Sequence, residues 1–249
     1  MLPAIGARPL IDLHKRDINS VIVTILERGR QVEAARVFGD LLTLLRWGTA
    51  QGYLDTNPAE GMRRPAARPP RERVLSDAEI RKLWNILPTA LRKTETTQHV
   101  IKLCLLTGQR VGECSGIQPS EIDGDTWTIP AARAKNGCVH EVPLTPLALE
   151  FALAIAAAPK PAPHSISTTI RLAQDRFGLE HWTAHDLRRT VVTNMARLGV
   201  PPIVLGHVIN HRSVTRAGIT LSVYSHYDYS KEKREALDLW AKRLAEIVR

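Results

Sequence analysis

Apolar residues along the chain recur mostly at three- and four-residue intervals, the period of a helix with one buried face. Ile18, Val21, Ile22 and Ile25 predict a short helix over about 17–28, after sixteen residues that read as irregular. Ala35, Phe38, Leu41, Leu42 and Leu45 predict a stronger one over about 32–51, ended by Gly52 and Asn57-Pro58. Ser76 and Glu79 form a capping box that opens a helix to about 87. Val100, Leu103, Cys104 and Leu106 mark another over about 95–107, stopped by Gly108. Arg110 and Glu113 follow at once, in the turn into a next helix. The period then shortens to two: Trp127 and Ile129 alternate with polar neighbours, as do Val139 and Glu141. Asn136-Gly137 between these runs is a hairpin signal and puts Lys135 at the tip. Such a tip can reach into a ligand's groove; a solvated turn lysine is the default for an isolated hairpin.

Helical spacing resumes over about 145–158. A loop with Pro159, Pro161 and Pro163 precedes a helix over about 165–177. Pro201 starts a helix to about 210, a loop through Gly218 leads to Tyr224, and a last helix covers about 230–247. In that last helix Leu237, Trp240, Leu244 and Ile247 share a face, as core or partner contacts. The pattern as a whole predicts a mainly α fold with a small antiparallel β-hairpin or sheet.

One stretch concentrates charge at a helix start. His185-Asp186-Leu187-Arg188-Arg189-Thr190 opens a helix to about 198, with Asp186 as cap and Gly199 as stop. His185 and Arg188 lie on one side of the first turn, beside backbone N–H groups and the positive end of the helix dipole. That convergence suits a phosphate group. A polar cap with solvated arginines is the plainer reading of the stretch in isolation.

Charge shifts the balance. Among 249 residues, 34 Lys and Arg face 25 Asp and Glu, a net charge of +9 with a pI near 9.8. Such an excess favours a polyanionic partner, nucleic acid or an acidic membrane surface. The length suits one large domain or two small ones, and 44% apolar residues suffice for a core. Cys104, Cys114 and Cys138 make no CxxC pair, which speaks against a disulfide framework or a zinc site and fits a reducing cytosol. His207 and His211 are four apart on one helix, but Val208 between them departs from the HExxH metal motif. The start of the chain has no signal-peptide pattern. The longest apolar run, 148–158, is broken by Glu150 and too short to span a bilayer.

Residues 61–74 read as a linker between a helical segment over 1–60 and a larger domain over 75–249. Arg63, Arg64, Arg68, Arg71 and Arg73 alternate there with Pro65, Pro69 and Pro70, which keep the chain extended. The segment is equally suited to lying along a DNA backbone and to serving as a solvated tether.

The order of these features carries a resemblance. Thr107-Gly108-Gln109-Arg110-Val111-Gly112-Glu113, a hairpin lysine, His185-x-x-Arg188, a His-rich helix end and Tyr224 before a final helix resemble the tyrosine recombinases, the phage-integrase family, and especially its prophage type. The resemblance covers about 75–249 strongly and 10–60 more weakly. It implies site-specific cleavage and rejoining of DNA through a 3′-phosphotyrosyl intermediate, without cofactor or metal. Arg110 and Arg188 then match the phosphate-clamping arginines, with Glu113 in support. Lys135 matches the lysine that protonates the leaving 5′ oxygen, and Tyr224 the nucleophile. His185 fills the second box. For the family's third histidine His211 is preferred, twelve residues beyond Gly199, with His207 in Leu-Gly-His close behind. Tyr227 and Tyr229 are expected to pack or to face DNA. The implied partners are duplex DNA, copies of the chain in a tetramer on paired sites with the final helix as exchange element, and accessory DNA-bending proteins, in the cytoplasm at the nucleoid.

The chemistry supports these roles without the resemblance. Paired guanidiniums can clamp non-bridging oxygens and supply a positive field in place of a metal. A tyrosine can form a covalent phosphoester, but its pKa near 10 calls for a base and nearby positive charge. A leaving alkoxide needs a proton, which lysine can give. A type IB topoisomerase shares this chemistry. Only about seventy residues precede the capping box, an incomplete clamp by family standards. The alternative function is therefore a truncated, non-catalytic DNA-binding remnant or regulator; a basic scaffold that binds no DNA is a further rival.

Overall fold

The computed structural model describes residues 2–66, 72–92, 94–161, 163–211 and 227–249, with the backbone alone for 2, 3, 163 and 164. The chain divides into two compact units, Met1–Arg71 and Glu72–Arg249.

The first unit is helical. A turn of helix, α1 (Leu2–Ile5), and a 3-10 turn, Leu10–Asp12, add structure where the sequence shows no period. The pair α2 (Lys15–Glu27) and α3 (Gln31–Ala50) follows the predicted spacing within two residues. Ile18 and Ile22 of α2 meet Phe38, Leu41 and Leu45 of α3 in a small core, closed by Leu13, Leu54 and Ala59. Asp17 fixes the start of α2 by accepting from His14 N at 3.0 Å. That bond, ahead of the Arg8 and Arg16 charges, holds its carboxyl below the ordinary range.

The second unit holds the larger core and the three-stranded sheet. The capping box stands as predicted: Ser76 Oγ accepts from Glu79 N at 3.3 Å and Glu79 accepts from Ser76 N at 2.9 Å, opening α4 (Asp77–Ala90). Next comes α5 (Glu95–Thr107), buried on every side in its second half from Leu103 to Thr107. Gly108 ends it at φ 67, a left-handed conformation that glycine adopts without a Cβ penalty. A short helix, α6 (Val111–Ser115), follows.

The sheet is antiparallel in the order β1 (Ile122–Asp123), β2 (Thr126–Ile129), β3 (His140–Pro143). Its tight turn is at Gly124-Asp125, between the paired residues Asp123 and Thr126. Asn136-Gly137 is not a two-residue hairpin. Ile129 pairs with His140, so residues 130–139 form a long loop, starting at Pro130, which cannot donate to the ladder. The face of β3 is also the reverse of the Val139–Glu141 alternation: His140 and Val142 are buried, while Val139 is 61% exposed.

Beyond the sheet lie α7 (Pro146–Ala157), α8 (Pro163–Leu172), α9 (Gln174–Phe177), α10 (Ala184–Arg197), α11 (Pro202–Val208) and α12 (Ser230–Val248). The single helix expected over 165–177 is split at Ala173. There the Gln174 amide turns to the backbone of Trp182, donating to its carbonyl at 2.8 Å and accepting from its N–H at 3.2 Å. In α10 Asp186 is not the cap itself. Thr183 is the cap residue, and Asp186 one turn on accepts from Thr183 N at 2.9 Å and Oγ1 at 2.8 Å. Leu237, Trp240, Leu244 and Ile247 of α12 are buried in this unit's own core, and Trp240 Nε1 donates to Leu105 O at 2.7 Å. Among the described residues no helix is long and apolar enough to cross a membrane.

Candidate active site

Three turns of backbone converge in the second unit: the link from α5 into α6, the first turn of α10 and the end of α11. Arg188 joins them. Its Nη1 donates to Gly108 O at 2.8 Å and its Nη2 to Ile209 O. The side chain reaches both because it leaves α10 one turn from the helix start, while Gly108 and Ile209 each end a helix with carbonyls that lack helical partners. Gln109 Nε2 and His140 Nε2 lie 2.7 and 3.2 Å from Val208 O. The last carbonyls of α11 are thus held from three other parts of the chain.

Arg110 stands beside this knot as the N-cap residue of α6. Glu113, one turn on, is buried and accepts from Arg110 Nη1 at 3.0 Å and Arg110 N at 3.2 Å. The same carboxylate accepts a long bond from the backbone N–H of Lys135 at 3.5 Å, at the edge of hydrogen-bonding distance. The Lys135 side chain is exposed on the long loop. Arg133, on that loop, is clamped by Glu121 at 2.6 and 2.8 Å and donates to Glu113 O at 3.3 Å.

Arg188 reaches Gly108 O, two residues before Arg110, and the charge of Arg110 acts on it. Arg188 is only 5% exposed. Burial, then the charge of Arg110, brings its pKa down to about 10, with Glu113 acting in the opposite direction. Arg188 therefore keeps its charge at neutral pH, in a place where positive charges crowd each other. Partial desolvation holds the His185 imidazole below its ordinary value, and the charges of Arg189, Arg188 and Lys135 push it the same way. Asp186, which pairs with Arg189 at 3.1 Å, acts in the opposite direction; a neutral imidazole in this setting can accept a proton.

The two histidines of the α11 region differ. His207 is half-buried in the last turn of α11, and its ring stacks on Tyr229 at 4.1 Å and 17°. Burial, then Lys233, holds it below the usual imidazole range. His211 lies past the helix end with an exposed side chain, and its N–H donates to Gly206 O at 2.9 Å. Tyr229 adopts φ 56 as the N-cap residue of α12 and packs against the core. Tyr227 is 53% exposed and donates its hydroxyl to Glu232 at 2.7 Å, which raises its pKa. Tyr224 lies outside the described residues.

Of the linker arginines, Arg68 and Arg71 also lie outside the described residues, while Arg63 and Arg64 are exposed. Arg73 departs from the expected DNA-facing role. Its side chain is only 10% exposed and paired with Glu79 at 2.6 Å and Glu180 at 2.9 Å. Two carboxylates neutralise it and tie the start of α4 to the segment before α10.

Nothing in the sequence marks Gln109, His140, Asn136 and Asn210 as braces of the site. Gln109 lies inside a quoted motif and Asn136 inside the Asn136-Gly137 turn signal. The others are polar residues in turns or a strand whose burial has no signature in spacing. Among the described residues, no cluster of His, Cys, Asp or Glu could hold a metal ion.

No protein-family model matches the chain. Prophage integrase IntA of Escherichia coli (strain K12) is 25% identical over 264 residues, covering 97% of this chain and 61% of its own length. Tyrosine recombinase XerC of Proteus mirabilis is 25% identical over 212 residues, covering 77% and 67%. The chain thus spans less than two thirds of the length of the prophage integrase. Among solved structures, a lambda integrase(75-356) dimer bound to a COC′ core site shares the fold with a TM-score of 0.70 at 19% identity, over 87% of this chain and 85% of that one.

Proposed function

We propose that this chain, a relative of the tyrosine recombinases in sequence and fold, cleaves and rejoins duplex DNA at specific sites through a 3′-phosphotyrosyl intermediate. What supports the reading is that Glu113 takes hydrogen bonds from Arg110 and from the Lys135 backbone, that the charges of Arg110 and Glu113 act on Arg188, and that those of Arg188 and Lys135 act on His185. Arg110 and Arg188 clamp the non-bridging oxygens of the scissile phosphate and stabilise the charge that grows there during attack. Tyr224 attacks phosphorus, its phenol proton passing to His185. The P–O5′ bond breaks and Lys135 protonates the leaving oxygen. Attack by a 5′-hydroxyl reverses these steps and rejoins the strands.

Tyr227 is engaged elsewhere: its hydroxyl donates to Glu232 at 2.7 Å, which raises the pKa of its phenol. His207, in the last turn of α11 next to the carbonyls that Gln109, His140 and Arg188 hold, is better placed to contact the phosphate than the exposed His211. The helical first unit and the exposed Arg63 and Arg64 contribute backbone contacts to DNA. Exchange between two duplexes requires four copies on paired sites, with DNA-bending proteins as accessory partners. The reaction belongs to integration or excision of a prophage or genomic island, in the cytoplasm at the nucleoid.

The test uses a pool of nicked duplexes of randomised sequence, from which the short 5′-hydroxyl strand diffuses away after cleavage. Covalently captured DNA identifies the preferred site, and peptide mass spectrometry locates the adduct on Tyr224. Tyr224→Phe is expected to bind the selected duplex and form no adduct. An adduct on the Phe variant, or on Tyr227 of the parent, rejects the assignment.

A further inference from the structure

Asn136 follows Lys135 directly, in the long loop between β2 and β3. Asn210 lies just past the end of α11, at the last described residues before 212–226. Both are buried, at 7% and 2% exposure. Their amides face each other and exchange two hydrogen bonds: Asn136 Nδ2 donates to Asn210 Oδ1, and Asn210 Nδ2 donates to Asn136 Oδ1 at 3.2 Å. Asn136 Oδ1 also accepts from Cys138 N at 3.2 Å, which folds the loop back on itself. Asn210 has φ 47, a left-handed conformation that asparagine tolerates better than most residues.

The partners of this pair are unusual for a packing contact. A loop lysine would ordinarily move freely with its turn. Here the residue after Lys135 is locked to the end of α11, whose carbonyls Arg188, Gln109 and His140 already hold. On the other side, the Lys135 N–H leans on Glu113, the partner of Arg110. The loop is therefore fixed from two directions relative to both arginines.

We infer that the Asn136–Asn210 amide pair is a positioning device, which holds the Lys135 ammonium where the 5′ oxygen departs. The inference rests on the strand-cleavage reading above. In that step the Tyr224 oxygen forms a bond to phosphorus. The electron pair of the breaking P–O5′ bond stays on O5′, which takes a proton from Lys135. Loosening the loop costs catalysis through the missing proton and leaves DNA binding intact.

A sulfur-for-oxygen exchange isolates that proton. With a 5′-bridging phosphorothiolate, the pair of the breaking P–S bond stays on sulfur and a thiolate leaves. A thiol ionises near pH 8.5, whereas a departing alkoxide is far more basic and needs the acid. Single-turnover cleavage of the selected nicked duplex is measured with oxygen and with sulfur at the bridge, alongside affinity by anisotropy. On the oxygen substrate Lys135→Ala is expected to slow cleavage by about 100-fold or more. Asn136→Ala and Asn210→Gly should slow it by about 10- to 100-fold, the scale of a small misplacement. On the sulfur substrate all three are expected to match the parent in rate, with affinity unchanged in the two pair variants.

Pair variants equally slow on both substrates would overturn the proposal, since their defect then lies elsewhere, and so would pair variants at parental rate on oxygen. Asn210→Gly decides the matter if Asn136→Ala does not fold, because glycine keeps the left-handed backbone while deleting the amide. A parent that cleaves neither substrate refutes the strand-cleavage reading. A parent and a Lys135→Ala variant that behave as stated, with pair variants that do not, refute the positioning role alone.

Discussion

Glu113 offers the sharpest perturbation, because one carboxylate serves both Arg110 and the Lys135 loop. In Glu113→Gln the shape is kept and the charge is lost. The carboxylate now accepts from Arg110 Nη1 at 3.0 Å and from Arg110 N at 3.2 Å, one bond on each oxygen. An amide has a single acceptor, so its nitrogen must face one of those two donors. The lost attraction is sizeable: opposite charges at 4 Å interact by about 4 kcal/mol at an effective dielectric of 20. Relief of the desolvation of a buried carboxylate offsets part of that. A net loss of about 2 kcal/mol remains, within the range for a hydrogen bond to a charged partner. For a unit of this size the melting temperature should drop by about 4–8 °C. Glu113 also offsets the Arg110 charge at Arg188, so its neutralisation leaves the pocket more positive. DNA affinity at low salt should therefore hold or rise. Cleavage, which needs the Arg110 fork aimed, should fall by about 100-fold. Calorimetry, anisotropy and single-turnover cleavage on the selected duplex measure the three quantities. A variant as stable as the parent that cleaves at the parental rate refutes the role given to Glu113. A variant that loses affinity and rate together refutes the electrostatic account of it.

Two further outcomes concern pH. His185 acts as a base only when neutral, and its pKa is held below the usual imidazole range in part by Arg189. The acidic limb of the cleavage profile should thus lie below about pH 6.5, and Arg189→Met should move it upward; a limb that stays put excludes His185 as the titrating group. His140 is buried, and desolvation ahead of the Lys233 charge brings its pKa down to about 3. The unfolded chain binds a proton there near pH 6.5 while the folded one does not, so stability is full above that value and falls as pH drops toward about 3. His140→Gln should flatten this part of a urea-denaturation series, and an unchanged acid slope would show that other groups set it.

Much of the fold is legible because helical burial leaves a spacing. Phe38, Leu41 and Leu45, or Leu237, Trp240 and Leu244, announce their inward faces in the chain itself. Ser76 and Glu79 announce a helix start for the same local reason. The sheet misleads because a turn signal is shorter than the structure it sits in. Asn136-Gly137 looks like a tip, yet register puts ten residues between the paired Ile129 and His140, and burial of the Asn136 amide against Asn210 shapes the loop. The tight turn falls at Gly124-Asp125 instead, beside a two-residue strand too short to show a period. Arg73 misleads in another way. Its place in a basic run suggests a DNA contact, but Glu79 and Glu180 come to it from positions that no local pattern connects. At the site the charged residues are readable by type and order. The uncharged residues that brace them find their partners far along the chain, Gln109 at Val208 and Asn136 at Asn210, and so have no periodicity to betray them.

Gly108 links these levels. Its left-handed backbone turns a carbonyl toward Arg188 Nη1 and leads the chain on to Gln109 and Arg110. A Cβ at this position would stand 3.2 Å from Val191 Cγ1 and 3.5 Å from Ile209 Cγ2. A methyl group there would press on Val191 of α10, the helix that carries Arg188, and would strain a backbone held at φ 67. An inactivating lesion can therefore sit on a residue with no functional group at all, and sequence decay of the reaction could begin at a hydrogen atom.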